Sequence, residues 1–487
     1  MRISKFICIL LLTFLVSLVV PSTTLQQRKP YEGVEIVVAL RSLPETDFIM
    51  ARVGEFEAKT GIRVYFVLYP ELELRERIVM DCATKAGKFN VIAIDNMYIP
   101  EFVENGWIVP LDDFIKSPAL TPPEYNVTDI MEVYRGTNSY KGKLYAIPIY
   151  GETTQLMYYR TIFEDSKIKA YYREWIKAHY DEVAKELKEF GLDPRNIPKE
   201  LGPPTTMEGL WTIAKFFTKK VNAKSPVDYG IAMRGLRGEG MNVYIWTGFL
   251  RAFGGRFFKE EAPDGSPISY VPAFNSAEGV TALKFYSEIL RRFGPPGVAS
   301  FAWDDVQTVF QTGKVAMIID ATNFLTRIEN PAKSAIAGKI GYAPLPRGPA
   351  GRFPSIYTLG FAIESFSPKK KQEASWLFIQ WATSRTMELK KALEGNIVSV
   401  TRKSVFMNPV FIDKFGKYPG WRESTVEGLE EALPNYRPRF PKWREMGNLI
   451  GIAVEEAIAG VKSPKEALDW AAAESYKILK ETGYIKG

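Results

Sequence analysis

The sequence predicts an α/β fold of the doubly wound kind, and three observations lead there. Short apolar runs of strand length alternate with segments whose apolar residues recur at helical spacing. Those helical segments close on stop signals such as Gly61. Polar and charged residues stand directly behind the apolar runs, where sheets of this kind place their ligands. The chain is 487 residues long, with 46% hydrophobic and 24% charged residues. That is an ordinary globular composition, and the length is too great for one compact core, so two or three domains are expected.

Taken in order, VEIVVAL (34–40) reads as a buried strand and DFIMARVGEFEAKTG (47–61) as a helix. IRVYFVLY follows at once as a second strand, then a helix through ELRERIVMDCATKAG, a strand at FNVIAID and a short helix in MYIPEFVENG. Arg41 stands at the C-terminal end of the first strand, and Asp95 and Asn96 at that of the third. Further on, IPIYGETTQLMYYR (147–160) carries Glu152 inside an apolar, aromatic run. A carboxylate entering a core without a partner costs several kcal/mol, on the order of a buried unpaired charge, so Glu152 must meet something.

The N-terminus has the layout of a secretory signal: two cations in MRISK, fifteen apolar or small residues in FICILLLTFLVSLVV, then polar PSTTLQQ. Residues 1–24 are read as a signal peptide or an N-terminal anchor and 25–32 as a linker. The protein is therefore expected outside the cell membrane, extracellular or periplasmic, free or tethered. Loss of Arg2 and Lys5 takes the formal charge from +7 to +5, and no basic block with interleaved aromatics suggests nucleic acid. Cys8 lies in the apolar run, leaving Cys82 alone and no intramolecular disulfide. The one histidine, His179, falls in a charged amphipathic segment, and with a single mature cysteine it cannot build a two-His zinc site or a Cys/His dyad. No catalytic residues, metal site or cofactor are expected. A carboxylate pair of the glycosidase kind stays open, since it needs only two acids.

Five ordered segments, FNVIAIDNMYIPEFVENGWIVPLDDFI (89–115), GKLYAIPIYGETTQLMYYRTIFED (142–165), WDDVQTVFQTGKVAMIID (303–320), YTLGFAIESFSPKKKQEASWLFIQWATS (357–384) and GNIVSVTRKSVF (395–406), resemble the extracellular solute-binding proteins of ABC sugar importers, the maltose-binding-protein-like group. The stretch 436–472 is similar to that group's closing helices. An insertion near 167–200 departs from it.

The resemblance implies a two-lobed fold of the type II periplasmic binding kind, with the ligand in the cleft between lobes. The first lobe would comprise 31–147 with 359–404, the second 148–358 with 405–487. It implies a substrate-binding component that captures a carbohydrate, a di- or oligosaccharide, and delivers it to a membrane permease as a monomer and without chemistry. Polyol, glycerol-phosphate and peptide ligands are the alternatives, and an extracellular glycoside hydrolase is the rival from another class. Glu152, at a crossing between lobes, would accept hydrogen bonds from ligand hydroxyls. The other implied contacts are Arg41, Asp95, Asn96, Tyr150, Trp246, Trp303, Asp320, Asn323, Tyr357 and Arg402. Relatives often place a tryptophan after the strand matching VAMIID; here Asn323 or Phe324 must fill that space.

Overall fold

The structure is a computed structural model that describes residues 29–263 and 265–485. The expected signal segment and most of the linker lie outside the described residues. Among the described residues ten strands are formed: β1 (Glu35–Leu40), β2 (Arg63–Leu68), β3 (Val91–Asp95), β4 (Ser139–Tyr140), β5 (Lys143–Leu144), β6 (Ala146–Tyr158), β7 (Tyr229–Ala232), β8 (Val315–Ala321), β9 (Gly341–Ala343) and β10 (Ile356–Ile363). Apart from the small β4–β5 ribbon they join in the order β2-β1-β3-β10-β6-β8-β7, with β9 on β6.

The first half of this sheet is doubly wound, with β1 parallel to both β2 and β3. The predicted helix over 47–61 is divided into Pro44–Met50 and Val53–Thr60. The two pieces face different neighbours: Phe48 packs with Met387 and Ile397, whereas Phe56 meets Phe378 and Trp381. The second piece ends on Gly61 in the left-handed region (φ 76°), the conformation that favours glycine.

Two antiparallel strands carry the sheet from one half to the other. The first residues of β6 pair with β10, which pairs in turn with β3, while the last residues of β6 pair with β8 and β9. Twelve of the thirteen residues of β6 are buried, Glu152 among them. One apolar cluster fills the space around β1, β3, β10 and the start of β6. A second lies among helices Ser166–Lys188, Met207–Phe216, Ala277–Phe293, Trp443–Ala459 and Pro464–Glu481. The insertion near 167–200 is thus the long helix Ser166–Lys188, capped at its start by the Asp165 side chain. His179 sits half-buried on it, stacked 4.6 Å from Trp175. Among the described residues, no helix is long and apolar enough to cross a membrane.

Candidate functional site

A cleft of about 970 Å³ opens where the two halves of the sheet meet. Strand ends build its floor. Arg41 follows β1, Asp95 ends β3, Tyr150 and Glu152 lie in β6, and Tyr357 stands opposite Glu152 in the β10 register. Asn323 and Phe324 belong to the turn after β8, and Arg234 stands two residues beyond β7. All eight line the cleft.

These side chains are tied together in three groups. In the first, Arg41 Nη2 donates to the Tyr357 hydroxyl at 2.8 Å, that hydroxyl donates to Asp95, and Arg41 and Asp95 form an ion pair at 3.5 Å. In the second, Asn323 Nδ2 donates to the Tyr150 hydroxyl at 2.6 Å, and Tyr150 donates to Glu152. The Tyr150 and Tyr357 rings meet edge to face at 5.6 Å, so the two groups abut. In the third, Arg234 Nε donates to Asp320 Oδ1 at 3.1 Å and its Nη1 to the Gly240 carbonyl at 3.0 Å. The Tyr244 ring covers this guanidinium at 4.9 Å.

Burial pushes the Glu152 carboxyl up to about 7, against the opposing pull of the Arg234 charge and the Tyr150 hydroxyl. Burial likewise raises Asp320, which Arg234 counters; burial opposes the charge on Arg234, yet Asp320 beside it holds that guanidinium above its usual value. On the outer side Trp303 stacks on Phe324, centroids 5.8 Å apart at 28°, with Arg327 over the indole at 5.1 Å. Aromatic faces beside bound acceptors and donors suit a ligand with a hydroxylated edge and an apolar C–H face.

Seven of the eleven residues singled out from sequence line this cleft: Arg41, Asp95, Tyr150, Glu152, Trp303, Asn323 and Tyr357. Four do not. Asn96 is buried behind Asp95, its Oδ1 accepting from the Thr358 amide at 3.2 Å. Trp246 lies on helix Asn242–Ala252, whose residues are all buried, so its indole is core. Asp320 is fully buried beneath the floor and is paired there with Arg234. Arg402 is 1% exposed, and its Nε and Nη1 donate to the carbonyls of Thr383, Tyr125 and Asn126 with Asp129 alongside, away from the cleft. Phe324 and Asn323 share the place expected for a tryptophan.

Sequence reasoning missed Tyr98, Arg234, Glu239, Tyr244 and Arg437, which also line the cleft. The strand-end rule that found Arg41 and Asp95 reaches Arg234 as well, behind DYGIAM. Arg437, in NYRPRF, has no local signal; only the tertiary fold brings it to Glu239, 3.0 Å away.

Known proteins share this architecture. The mannitol-binding protein of Pseudomonas aeruginosa is 26% identical over 446 residues, covering 88% of this chain and 89% of that protein. The maltotriose-binding protein of Pyrococcus abyssi is 20% identical over 412 residues, covering 83% and 72%. Among solved structures, an ABC transporter solute-binding protein from Agrobacterium radiobacter in complex with ribitol superposes with a TM-score of 0.73 at 25% identity, covering 92% of this chain and 100% of that one. One from Agrobacterium vitis with bound D-mannitol gives 0.70 at 26%, covering 93% and 100%. The family described as bacterial extracellular solute-binding protein is matched over residues 42–388, well over half of the sequence, and with two halves closing on one polar, aromatic-lined cleft the chain belongs to that family.

Proposed function

We propose that this protein is the substrate-binding component of an ABC importer that captures a neutral carbohydrate outside the cell membrane and hands it, unchanged, to a membrane permease. One observation carries the choice of ligand: the three arginines most deeply set in the cleft are already matched by carboxylates. Arg41 is paired with Asp95, Arg234 with Asp320, and Arg437 with Glu239. A phosphorylated or acidic ligand seated against these arginines would have to break one of the pairs, at the cost of stranding a buried carboxylate. A polyhydroxylated ligand instead adds hydrogen bonds to groups already held in place, and charged acceptors make the stronger kind.

In this reading one lobe comprises 31–147 with 359–404 and the other 148–358 with 405–487, hinged where β6 and β10 cross. The cleft lies at the upper end of the volumes usual for small-molecule sites, roughly 300–1,000 Å³, which favours a di- or oligosaccharide. A second reading, an acyclic polyol, is favoured by the relatives that bind mannitol and the solved protein that holds ribitol. A thermal-shift panel of D-mannitol, ribitol, maltose and maltotriose separates the two. A true ligand at 100 times its dissociation constant stabilises by about 2.7 kcal/mol. Chromatography after prolonged incubation must then return the sugar intact. Progressive cleavage would make the protein a hydrolase, and a shift with a phosphorylated sugar alone would overturn the neutral ligand.

A further inference from the structure

The two halves of the molecule also bind each other directly across the cleft, through residues of its wall. Met97 and Tyr98 form the turn directly behind β3, in the first half. Met97 is buried, and it is packed in the apolar cluster of the second half. Next to it the Tyr98 hydroxyl donates to Glu239 Oε1 at 2.9 Å, across the sheet's midline. Burial and the Glu239 charge push this phenol far above its usual range, so it stays a donor at any working pH.

The receiving side is held rigidly. Arg437 Nη1 donates to both Glu239 Oε2, at 3.0 Å, and the Glu239 carbonyl, at 2.9 Å. The loop carrying Glu239 is pressed onto helix Trp443–Ala459 through two glycines one turn apart. A Cβ on Gly447 would come 2.6 Å from the Glu239 Cβ, and one on Gly451 would come 2.5 Å from the Gly238 nitrogen. Asn242 Nδ2 ties the same loop to the carbonyls of Gly235 and Gly451 at 3.0 and 2.9 Å. A fixed acceptor aimed at a donor on the opposite half is an arrangement that forms or breaks as a unit when the halves separate.

We propose that Met97 and Tyr98 on one side and Glu239 with Arg437 on the other form a cross-cleft clasp that determines how firmly, and for how long, a bound ligand is held. The clasp rests on the reading that a ligand binds between the halves. It lowers the free energy of the closed arrangement whether or not a ligand is present, so it raises the closed population and slows release.

The test uses the full chain and Tyr98→Phe, alone and combined with Met97→Ala. Tyr98→Phe keeps the ring and removes only the donor, so folding is retained, and a melting curve checks it. In small-angle X-ray scattering without ligand, the variants are expected to be more open than the parent. Superimposable ligand-free curves for parent and variants overturn the clasp. With whichever of D-mannitol and maltotriose binds, Tyr98→Phe should speed dissociation about 10-fold or more, the range for a hydrogen bond to a charged group. In a double-mutant cycle, Glu239→Gln should add little to it. An unchanged dissociation rate also overturns the proposal. If neither sugar binds, the functional reading fails while the ligand-free scattering still decides the clasp.

Discussion

Replacing Glu152 with Gln is expected to make the ligand-free protein more stable and the liganded protein weaker, and the first effect should depend on pH. The folded protein keeps the Glu152 proton up to about 7, whereas the ordinary value is 4.5. Between those values folding takes up a proton, so stability falls as pH rises; below about 4.5 the effect vanishes and above about 7 it is complete. A difference of roughly 2.5 units corresponds to about 3 kcal/mol. Gln has nearly the same volume, cannot ionise, and can still accept from Tyr150. At pH 8 Glu152→Gln should therefore melt higher. With about 2.1 cal/mol/K of unfolding entropy per residue, a chain of this length gains about 3 °C. At pH 4.5 the two proteins should melt together. Binding should move the other way, because losing a charged acceptor for ligand hydroxyls costs about 1.5–3 kcal/mol, or roughly 10- to 150-fold in affinity. Scanning calorimetry at the two pH values, beside calorimetric titration at pH 8, measures both. A Glu152→Gln protein that melts lower than the parent at pH 8 would refute the reasoning, since it would make Glu152 an ionised, structurally paired group.

Breaking the Arg234–Asp320 pair from one side, by Arg234→Met, should cost about 3–5 kcal/mol in urea unfolding, while Arg234→Met combined with Asp320→Leu should recover much of it. Trp303→Ala should weaken sugar binding about 2- to 10-fold, the worth of one aromatic contact, in a titration followed by calorimetry. Burial pushes the Cys82 thiol up to about 12, so a maleimide at pH 8 should leave the native protein unlabelled and label it once unfolded. Reducing agent should not change the melting temperature of the monomer.

Local patterns were enough to reveal β1, β2 and β3, because each is a short run rich in apolar and aromatic residues, and β1 and β3 end at a polar residue, Arg41 and Asp95. The same rule found Arg41 and Asp95. It failed on Asn96 for a reason of geometry: of two adjacent residues behind a strand, one turns to the cleft and the other back to the β10 amide. Trp246 was indistinguishable in sequence from a cleft aromatic, since nothing in NVYIWTGF marks a helix buried on every side. Arg402 resembled a cleft arginine, but its partners at 125–129 and 383 lie far off in sequence and only the folded chain brings them together. Glu239, Tyr244 and Arg437 were missed likewise, each set by contacts between segments about two hundred residues apart.

The position of β10 also bears on how the chain is made. It fills the gap between β3 and β6, strands that end at Asp95 and Tyr158, yet it arrives only with residues Ile356–Ile363, when roughly three quarters of the sequence has emerged. Until then β3 and the start of β6 each present an unpaired strand edge. Native pairing that spans so much sequence is slow to form. A ribosome-bound chain therefore has no finished half to fold around until late in synthesis. A truncation before residue 356 leaves two sticky edges rather than a smaller stable protein.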